Sequence, residues 1–318
     1  MKRFTVLGLS VAIAMQASAQ AALQCPGGTL AQRTTQDACQ QAIDVFKLMA
    51  PQLGIAITGG NATLGQGGAL GGLGHFAAEV RGNLIAGDVP QLQTPSLTGA
   101  QQRTRYPTKT QLLGLPSIDG SIGLFKGIPL PLTNVGGVDL LLSAFYVPKV
   151  TKDNVTIDPD SPLKIGYGLR VGLLQESLLV PGVSVTYFRR DLPKTTITGN
   201  ETGATLTVND LNVKTDAWRL TASKNLLLVS LAGGVGQDRY DQSGTAVGSS
   251  SGQSSSVQLS QKLTRTNYFL DASLNMLLAK IVAEVGMVSG GTIATYNQFD
   301  TDPAKSRLYG SLGLRIGF

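Results

Sequence analysis

Apolar and polar residues alternate with a period of two through most of the chain beyond residue 75. Because successive side chains of a strand point to opposite faces, this alternation is typical of β-strands with one apolar face. It is clearest in the last segment, 307–318. One face there carries Leu308, Leu312, Leu314, Ile316 and Phe318, with Gly310 as a gap in the row.

The alternation recurs in ten segments, separated by long polar and short apolar connections in turn. The segments are 75–86, 121–128, 138–150, 163–174, 182–192, 211–223, 226–240, 258–275, 280–289 and 307–318. A further candidate, 54–60, allows up to twelve strands. The Ser- and Gly-rich stretch 242–256 is interpreted as a mobile loop, and a long loop is expected from residue 87 to about Pro116. We therefore predict an all-β, antiparallel barrel of about 10–12 strands with a short N-terminal helical segment.

The beginning of the chain has the pattern of a secretory signal peptide. Lys2 and Arg3 precede the apolar stretch 4–15, and Ala17-Ser18-Ala19 supplies the small residues that signal peptidase requires. The apolar stretch is too short for a spanning helix, which needs about 20 residues. We predict a signal peptide over 1–19 and export by the Sec route.

The segment after the signal peptide has helical spacing. Cys39, Ile43, Phe46 and Ala50 recur at intervals of three to four residues, and Pro51 is expected to end the helix. The only two cysteines are Cys25 and Cys39, and an exported chain meets an oxidising compartment, so a disulfide is predicted. We expect residues 20–53 to form a helical segment that is either a plug in the barrel or a periplasmic cap.

The end of the chain carries a resemblance to a known class of proteins. A last strand of alternating apolar residues that ends in Phe resembles the assembly signal of bacterial outer-membrane β-barrels, and Gly313, Ile316 and Phe318 match that signal. Leu312 departs from it, because the family prefers a polar residue there. The resemblance implies a transmembrane barrel over 54–318 in the bacterial outer membrane. It also implies contact with outer-membrane lipids and with the barrel-assembly machinery.

Composition agrees with a lipid-exposed barrel. Charged residues make up 14% of the chain, whereas soluble domains carry about 25%. A barrel face that contacts lipid uses every second residue for apolar side chains and satisfies its backbone between strands.

Charged residues on the face opposite the apolar rows are expected to point into the lumen, because a lipid-facing charge costs roughly 2–4 kcal/mol. The lumen-lining candidates are Glu79, Arg81, Lys164, Arg170, Arg219, Asp271, Glu284 and Arg315, with Asn83 and Arg307 in the same rows. Two functions follow: a passive channel or transporter for small solutes through an Arg-containing lumen, or a structural or surface-interaction barrel with a closed interior. Positive charge in an open lumen predicts anion preference.

Motifs for catalysis are weak. Residues 72–77 fit a dinucleotide-binding spacing but continue as a strand, and 248–252 fits a hydrolase elbow inside a Ser/Gly tract. His75 is the single histidine and is interpreted as a polar residue at the barrel rim. The acidic pairs Asp158/Asp160 and Asp300/Asp302 are interpreted as solvated loop charges rather than a Ca²⁺ site. The sequence predicts no enzyme, cofactor, metal or nucleic-acid partner.

Overall fold

The computed structural model describes residues 21–91, 93–98, 100, 102–152 and 154–317. The predicted signal peptide and Phe318 lie outside these residues. Ten antiparallel strands form a closed ring in which each strand pairs with its neighbours along the chain and the last pairs with the first. We number them β1 Phe76–Pro90, β2 Thr108–Phe125, β3 Gly137–Tyr146, β4 Leu163–Leu174, β5 Gly182–Asp191, β6 Ala204–Leu226, β7 Val229–Ser250, β8 Gln253–Asn275, β9 Ala279–Val288 and β10 Arg307–Gly317. The predicted barrel is confirmed.

The two ends of the ring differ. At the short-turn end, strands are joined by residues 126–136, 175–181, 227–228 and 276–278. At the opposite, long-loop end, most connections are longer, and β6, β7 and β8 extend well beyond the other strands to 23, 22 and 23 residues. The short strands Thr195–Glu201, Val155–Pro159 and Val150–Lys152 continue this projection from the outer half of β6. We call the projecting part the outer sheet.

Three sequence predictions were wrong, two of them at the long-loop end and one inside the barrel. Residues 242–256 form a paired hairpin with Gly252 at φ +78° in its turn, rather than a mobile loop. Strand β2 begins at Thr108 and pairs with β1 as far as Pro90, so the loop expected after residue 86 is shorter. The candidate strand 54–60 lies at the end of a helix. Backbone pairing continues in the outer sheet where the apolar alternation fades.

The outward face of the ring is an apolar belt. On β6 the outward side chains change from Asp216 to the apolar Trp218, Leu220 and Ala222, and Leu226 follows after Lys224, whose Nζ is bound to carbonyl oxygens of the turn 175–181. The distance from Trp218 to Leu226 is roughly 27 Å along an extended strand, or about 20 Å across the membrane at the 35–45° tilt of outer-membrane barrels, whose apolar band is ~25 Å tall. Exposed aromatic residues lie on β4, β5, β6 and β8 near the outer boundary: Tyr167, Tyr187, Trp218 and Tyr268. Tyr187 lies opposite Trp218 in the β5–β6 register. This is the pattern of a transmembrane barrel.

A helix fills the half of the barrel interior that is nearer the long-loop end. The helix α1, Arg33–Thr58, begins within the outer sheet and descends toward the middle of the ring. Near its start, a Cβ added to Gly248 of β7 would lie 2.2 Å from the backbone nitrogen of Cys39. Near its end, Gly54 packs against the ring of Tyr240. Among the residues described, no helix combines the length and apolarity needed to cross a membrane.

Pro51 does not end α1, contrary to the prediction. Proline removes one intrahelical hydrogen bond and usually costs about 3 kcal/mol inside a helix. The helix nevertheless continues to Thr58, and Ile55, Ala56 and Ile57 beyond the proline are fully buried against the barrel wall. Burial of these side chains offsets the proline. Helix α1 lies inside the ring and begins at the long-loop end.

The predicted disulfide is present in the structure. Cys25 and Cys39 are bonded, with Cα atoms 6.0 Å apart, and both side chains are buried. The Nε2 of Gln36 donates a hydrogen bond of 2.8 Å to the carbonyl oxygen of Cys25. The hydroxyl of Ser255 in β8 donates to the carbonyl oxygen of Pro26 at 2.9 Å. These contacts attach the segment before α1 to the outer sheet.

Candidate functional site: the plugged lumen and the apolar cavity

The chain that follows α1 passes between buried charged side chains that point into the barrel. We call residues 59–70 the plug segment, and the buried arginines and carboxylates around it the charged zone. Arg219 of β6 donates from Nε to the carbonyl oxygen of Gly60 at 2.8 Å and from Nη2 to that of Gly59 at 2.9 Å. Arg190 of β5 donates to the carbonyl oxygens of Thr58 at 2.9 Å and Ala62 at 3.1 Å. Inward arginines therefore hold backbone carbonyls of the plug segment.

Inward carboxylates hold its backbone amides. Glu284 of β9 accepts hydrogen bonds from the amides of Gly60 and Asn61 at 3.2 and 2.6 Å. Asp271 of β8 accepts from the Asn61 side chain at 2.7 Å and from the Gly65 amide at 2.8 Å. Glu79 and Asp139 accept in the same way from the amides of Leu64 and Leu70. The plug segment, which has no regular secondary structure of its own, satisfies much of its backbone on the barrel wall.

The inward arginines are also paired with acids. Arg81 lies 3.0 Å from Asp119, and Arg190 lies 2.9 Å from the other oxygen of the same carboxylate. Arg170 pairs with Asp139 at 2.8 Å, and Arg219 pairs with Asp238 at 2.6 Å. None of these side chains is more than 6% exposed. The zone is a closed network of opposite charges rather than a row of free cations.

The acids of these pairs were not among the lumen residues predicted from the sequence. Asp119 fell outside the predicted strand 121–128, although it alternates with the inward Ser117 and Ser121 of β2. Asp139 and Asp238 lie inside predicted strands on the inward face. They occupy the same alternating positions of their strands as the other inward residues, and this alternation could have identified them. Which arginine meets which acid depends on the strand register, which the sequence does not show.

Most of the predicted lumen residues meet in this zone. The residues that lie buried inside the barrel are Glu79, Arg81, Arg170, Arg219, Asp271, Glu284 and Arg315. Lys164 is the exception, since it lies half-buried at the outer end of β4. Arg307 lies nearer the long-loop end, where its guanidinium is 2.9 Å from the carboxylate of Asp88. Arg315, near the short-turn end, contacts the carbonyl oxygen of Leu64 at 3.4 Å and the side chain of Gln66.

Two residues of the predicted assembly signal lie in the described part of β10. A Cβ added to Gly313 would lie 2.8 Å from the Leu64 side chain of the plug segment, so glycine allows close approach there. Ile316 faces outward and is 44% exposed, as a lipid-facing residue requires. The acidic loop pairs act locally: Asp158 pairs with Lys149 at 2.7 Å, and Asp300 pairs with Arg105 at 2.6 Å. Within the described ranges no cluster of three metal-ligating side chains occurs.

The upper half of α1 is anchored to the long loop 289–306. Asp44 accepts hydrogen bonds from the backbone amides of Tyr296 and Asn297, each at 3.0 Å, and from the Asn297 side chain at 2.9 Å. Burial raises the pKa of Asp44 to about 6, and the hydrogen bonds from Asn297 and Tyr296 oppose that rise. The anchor lies outside the apolar belt.

An apolar cavity of about 440 Å³ lies between α1 and the wall at the long-loop end. The helix contributes Val45, Met49 and Leu53, and β2 contributes Leu113 and Leu115. The outer sheet closes the opposite side with residues that include Ile157, Ile197 and Val208. Almost every lining side chain is apolar, in contrast to the charged zone below.

The wall beside this cavity is incomplete. Between Thr108 and Pro116, β2 pairs with β1 on one edge. On its other edge the described pairing with β3 begins only at Ser117, opposite Phe145. The edge of β2 that lacks a described partner strand therefore borders the cavity. Leu113 and Leu112 both line the cavity at this edge, and Leu112 is 76% exposed.

Comparison with known proteins finds similarity only among solved structures. No known protein family and no curated protein matches the chain. The toluene transporter TodX of Pseudomonas putida aligns at 10% identity and a TM-score of 0.33, covering 76% of this chain and 87% of TodX. The toluene transporter TbuX of Ralstonia pickettii aligns at 10% identity and 0.29, covering 82% and 92%. An anion-selective porin from Comamonas acidovorans aligns at 10% identity and 0.21, covering 77% and 98%. The chain has the fold of an outer-membrane β-barrel.

Proposed function

We propose that this protein is a non-enzymatic transport barrel of the bacterial outer membrane and that its solute is small and apolar. The observation that carries the proposal is the cavity of about 440 Å³ between α1, Leu113, Leu115 and the outer sheet. Small-molecule sites commonly measure roughly 300–1,000 Å³ and are mostly apolar. The cavity borders a strand edge through which a solute has a path that avoids the charged zone.

The charged zone does not favour the open, anion-selective lumen expected from the sequence. Fixed charge attracts counter-ions when it is uncompensated, but Arg81, Arg170 and Arg219 are each within 3.0 Å of a carboxylate. The plug segment also occupies the space between them. An ion path requires the plug segment to move first.

Expected affinity is modest, which suits a transporter. Burying about 200 Å² of apolar ligand surface contributes roughly 5 kcal/mol. Association itself costs several kcal/mol, so the net free energy falls below the roughly 4 kcal/mol of a 1 mM complex and we expect dissociation constants above about 1 mM. A solute held this weakly is also released.

The test compares two residues of β2, one inside the cavity and one outside it. Leu113 lines the cavity, and Ile118 points outward from the same strand, is 61% exposed and does not line it. Leu113→Trp fills the cavity, whereas Ile118→Trp adds the same side chain outside. Binding of 1-aminoanthracene to protein in nanodiscs, with empty nanodiscs as the blank, should fall at least fivefold in Leu113→Trp only. Equal binding by both variants and the wild type would refute the cavity as the solute site.

A closed structural barrel is the second candidate, and the dense hydrogen bonding of the plug segment favours it. It predicts no saturable binding of the probe and no uptake into protein-containing liposomes. Uptake of naphthalene by liposomes that contain the wild type, reduced in Leu113→Trp, separates the two functions.

A further inference from the structure

The short-turn end of the barrel carries leucine pairs on all four of its turns. Each pair is exposed: Leu130 and Leu132, Leu178 and Leu179, Leu227 and Leu228, and Leu277 and Leu278 are between 51% and 97% exposed. We call these eight residues the leucine rim. Turns that face water are usually polar, and contiguous exposed apolar surface of this kind marks an interaction site.

The turn 227–228 contains leucine although its backbone conformation favours other residues. It joins β6 and β7 directly, and Leu227 has φ +70°. Two-residue hairpin loops with positive φ normally contain Asn, Asp or Gly, and a residue with a large side chain is strained in that conformation. The Leu227 side chain offsets this backbone strain only if it is buried against an apolar partner.

A second turn is shaped so that its leucines point away from the barrel. The Nζ of Lys224 in β6 donates to the carbonyl oxygens of Ser177 and Leu178 at 2.6 and 2.8 Å. Glu176 of the same turn accepts hydrogen bonds from the Ser223 hydroxyl and the Asn225 amide. The polar groups of the turn are thus satisfied internally, and the side chains of Leu178 and Leu179 are left 92% and 76% exposed.

A cleft of about 270 Å³ adjoins the leucine rim and adds positive charge to it. Its lining includes Leu277 and Leu278 of the rim, together with His75, Lys280 and Arg315. Lys280 lies opposite Arg315 in the β9–β10 register. Arg315 is used by the plug segment, whereas Lys280 has no ion-pair partner among the described residues. The cleft therefore combines an available cation with an apolar border.

We propose that the short-turn end binds phospholipid of the membrane leaflet around it. Acyl chains cover the leucine rim, and the Lys280 cleft takes the phosphate of an anionic phospholipid whose chains cross the Leu277–Leu278 turn. The leucine rim is continuous with the apolar belt, since Leu274 and Ile281 flank the turn 276–278 on the outward face. Lipid that contacts the belt therefore reaches the rim. The inference rests on the proposed membrane location and not on the apolar cavity.

The rim is tested by depth-dependent fluorescence. The chain has one tryptophan, so single-tryptophan proteins are made in a Trp218→Phe background. Leu277→Trp and Leu228→Trp report the rim, Leu270→Trp reports the middle of the belt, and Gln258→Trp reports the outer sheet. In phosphatidylcholine vesicles, we expect brominated acyl chains to quench the rim and belt positions at least twofold and aqueous acrylamide to quench Gln258→Trp. If brominated acyl chains quench the belt position but not the rim positions, the lipid contact of the rim is refuted and the membrane location is not. If they quench neither, the membrane location is refuted as well.

The cleft is tested by native mass spectrometry of protein from vesicles containing phosphatidylcholine and phosphatidylglycerol at 4:1. We expect phosphatidylglycerol to be retained at least fivefold above its share, and Lys280→Gln to abolish the excess. Lys262→Gln, on the outer sheet and remote from the cleft, is the matched control. Displacement of the lipid by inorganic phosphate alone would show that the cleft recognises a free anion instead. Equal retention of both lipids, or an unchanged excess in Lys280→Gln, overturns the phosphate site.

Discussion

Arg219 and Asp238 form an ion pair of 2.6 Å inside the barrel while the same guanidinium donates to two carbonyl oxygens of the plug segment. The strand wall and the plug therefore share one buried cation. Asp238 in turn accepts from Asn267 at 3.0 Å. Loss of Arg219 would leave a buried carboxylate without its counter-charge and two plug carbonyls without their donor.

Arg219→Gln should lower the free energy of unfolding by about 3–5 kcal/mol, because breaking a buried ion pair leaves one charge unpaired. Urea titration in phospholipid vesicles measures the loss. Arg239→Gln is the control, since Arg239 is exposed on the outward face of β7 and a surface change costs less than about 0.5 kcal/mol. Equal stability of the two variants would contradict a structural role for the Arg219 network.

The disulfide should protect the outer part of the plug. Non-reducing electrophoresis of the mature protein should show an intramolecular bond that is absent in Cys39→Ser. Loss of a bond with a sequence separation of 14 destabilises a closed segment by roughly 3 kcal/mol on the chain-entropy model. We expect faster trypsin cleavage at Arg33 in the variant, with the barrel fragment intact. Dithiothreitol should have the same effect on the wild type and none on Cys39→Ser; an effect on both would assign the sensitivity to something other than this bond.

Stability should depend on the protonation of Asp44. Its pKa is raised by burial to about 6 from an ordinary 3.8, so the folded state holds the proton more tightly than the unfolded state. Stability is therefore greatest below pH 4, falls between pH 4 and 6, and is constant for this group above that range. Two pKa units correspond to about 3 kcal/mol at most.

The check for Asp44 is urea unfolding at pH 4 and pH 7 for the wild type and Asp44→Asn. We expect the difference between the two pH values to be smaller in Asp44→Asn, because asparagine does not titrate. Its single Oδ1 keeps the hydrogen bond from Tyr296 or those from Asn297, which bind different oxygens of Asp44. Identical pH dependence in both proteins would assign the titration to other carboxylates.

The terminal aromatic residue should control assembly. Deletion of Phe318 or Phe318→Asp is expected to reduce the outer-membrane protein at least tenfold and to cause periplasmic proteolysis, whereas Phe318→Tyr should assemble normally. Heat-modifiable migration on gels measures the folded fraction. Normal abundance of folded Phe318→Asp protein in the outer membrane would remove the resemblance as evidence for the assembly signal.

The belt was predictable from the sequence because lipid imposes one rule on every second residue. That rule located all ten strands, including the final Arg307–Gly317. The outer sheet obeys no such rule: residues 242–256 have polar side chains on both faces and are held by backbone pairing with β6 and β8. Helix α1 likewise passes Pro51 because its far end is buried by contacts that are distant in sequence.

The candidate site was predictable only in part, for the same reason. Parity of the strands identified Arg81, Arg170 and Arg219 as inward residues, but not their acids. Asp119 meets both Arg81 and Arg190, a contact set by strand register and by curvature of the ring. The apolar cavity depends on where β2 loses its partner, and no local pattern marks that point.

The last prediction concerns whether the lumen opens once the plug segment is released. The wild type should show no steady conductance in planar bilayers, and deletion of residues 25–49 should not open it, because the plug segment remains bound to Glu284 and Asp271. These two acids together accept three backbone amides and the Asn61 side chain. Replacing them by Glu284→Gln and Asp271→Asn removes the carboxyl groups that hold the segment and leaves the inward arginines in excess. We expect conductance with anion preference in the double variant, and the preference should weaken at 1 M salt, where the screening length falls to about 3 Å.

Asp241→Asn on the outer sheet is the control for charge removal and should stay closed. Cation preference in the double variant, or equal conductance in the wild type, would show that the charged network does not gate the lumen.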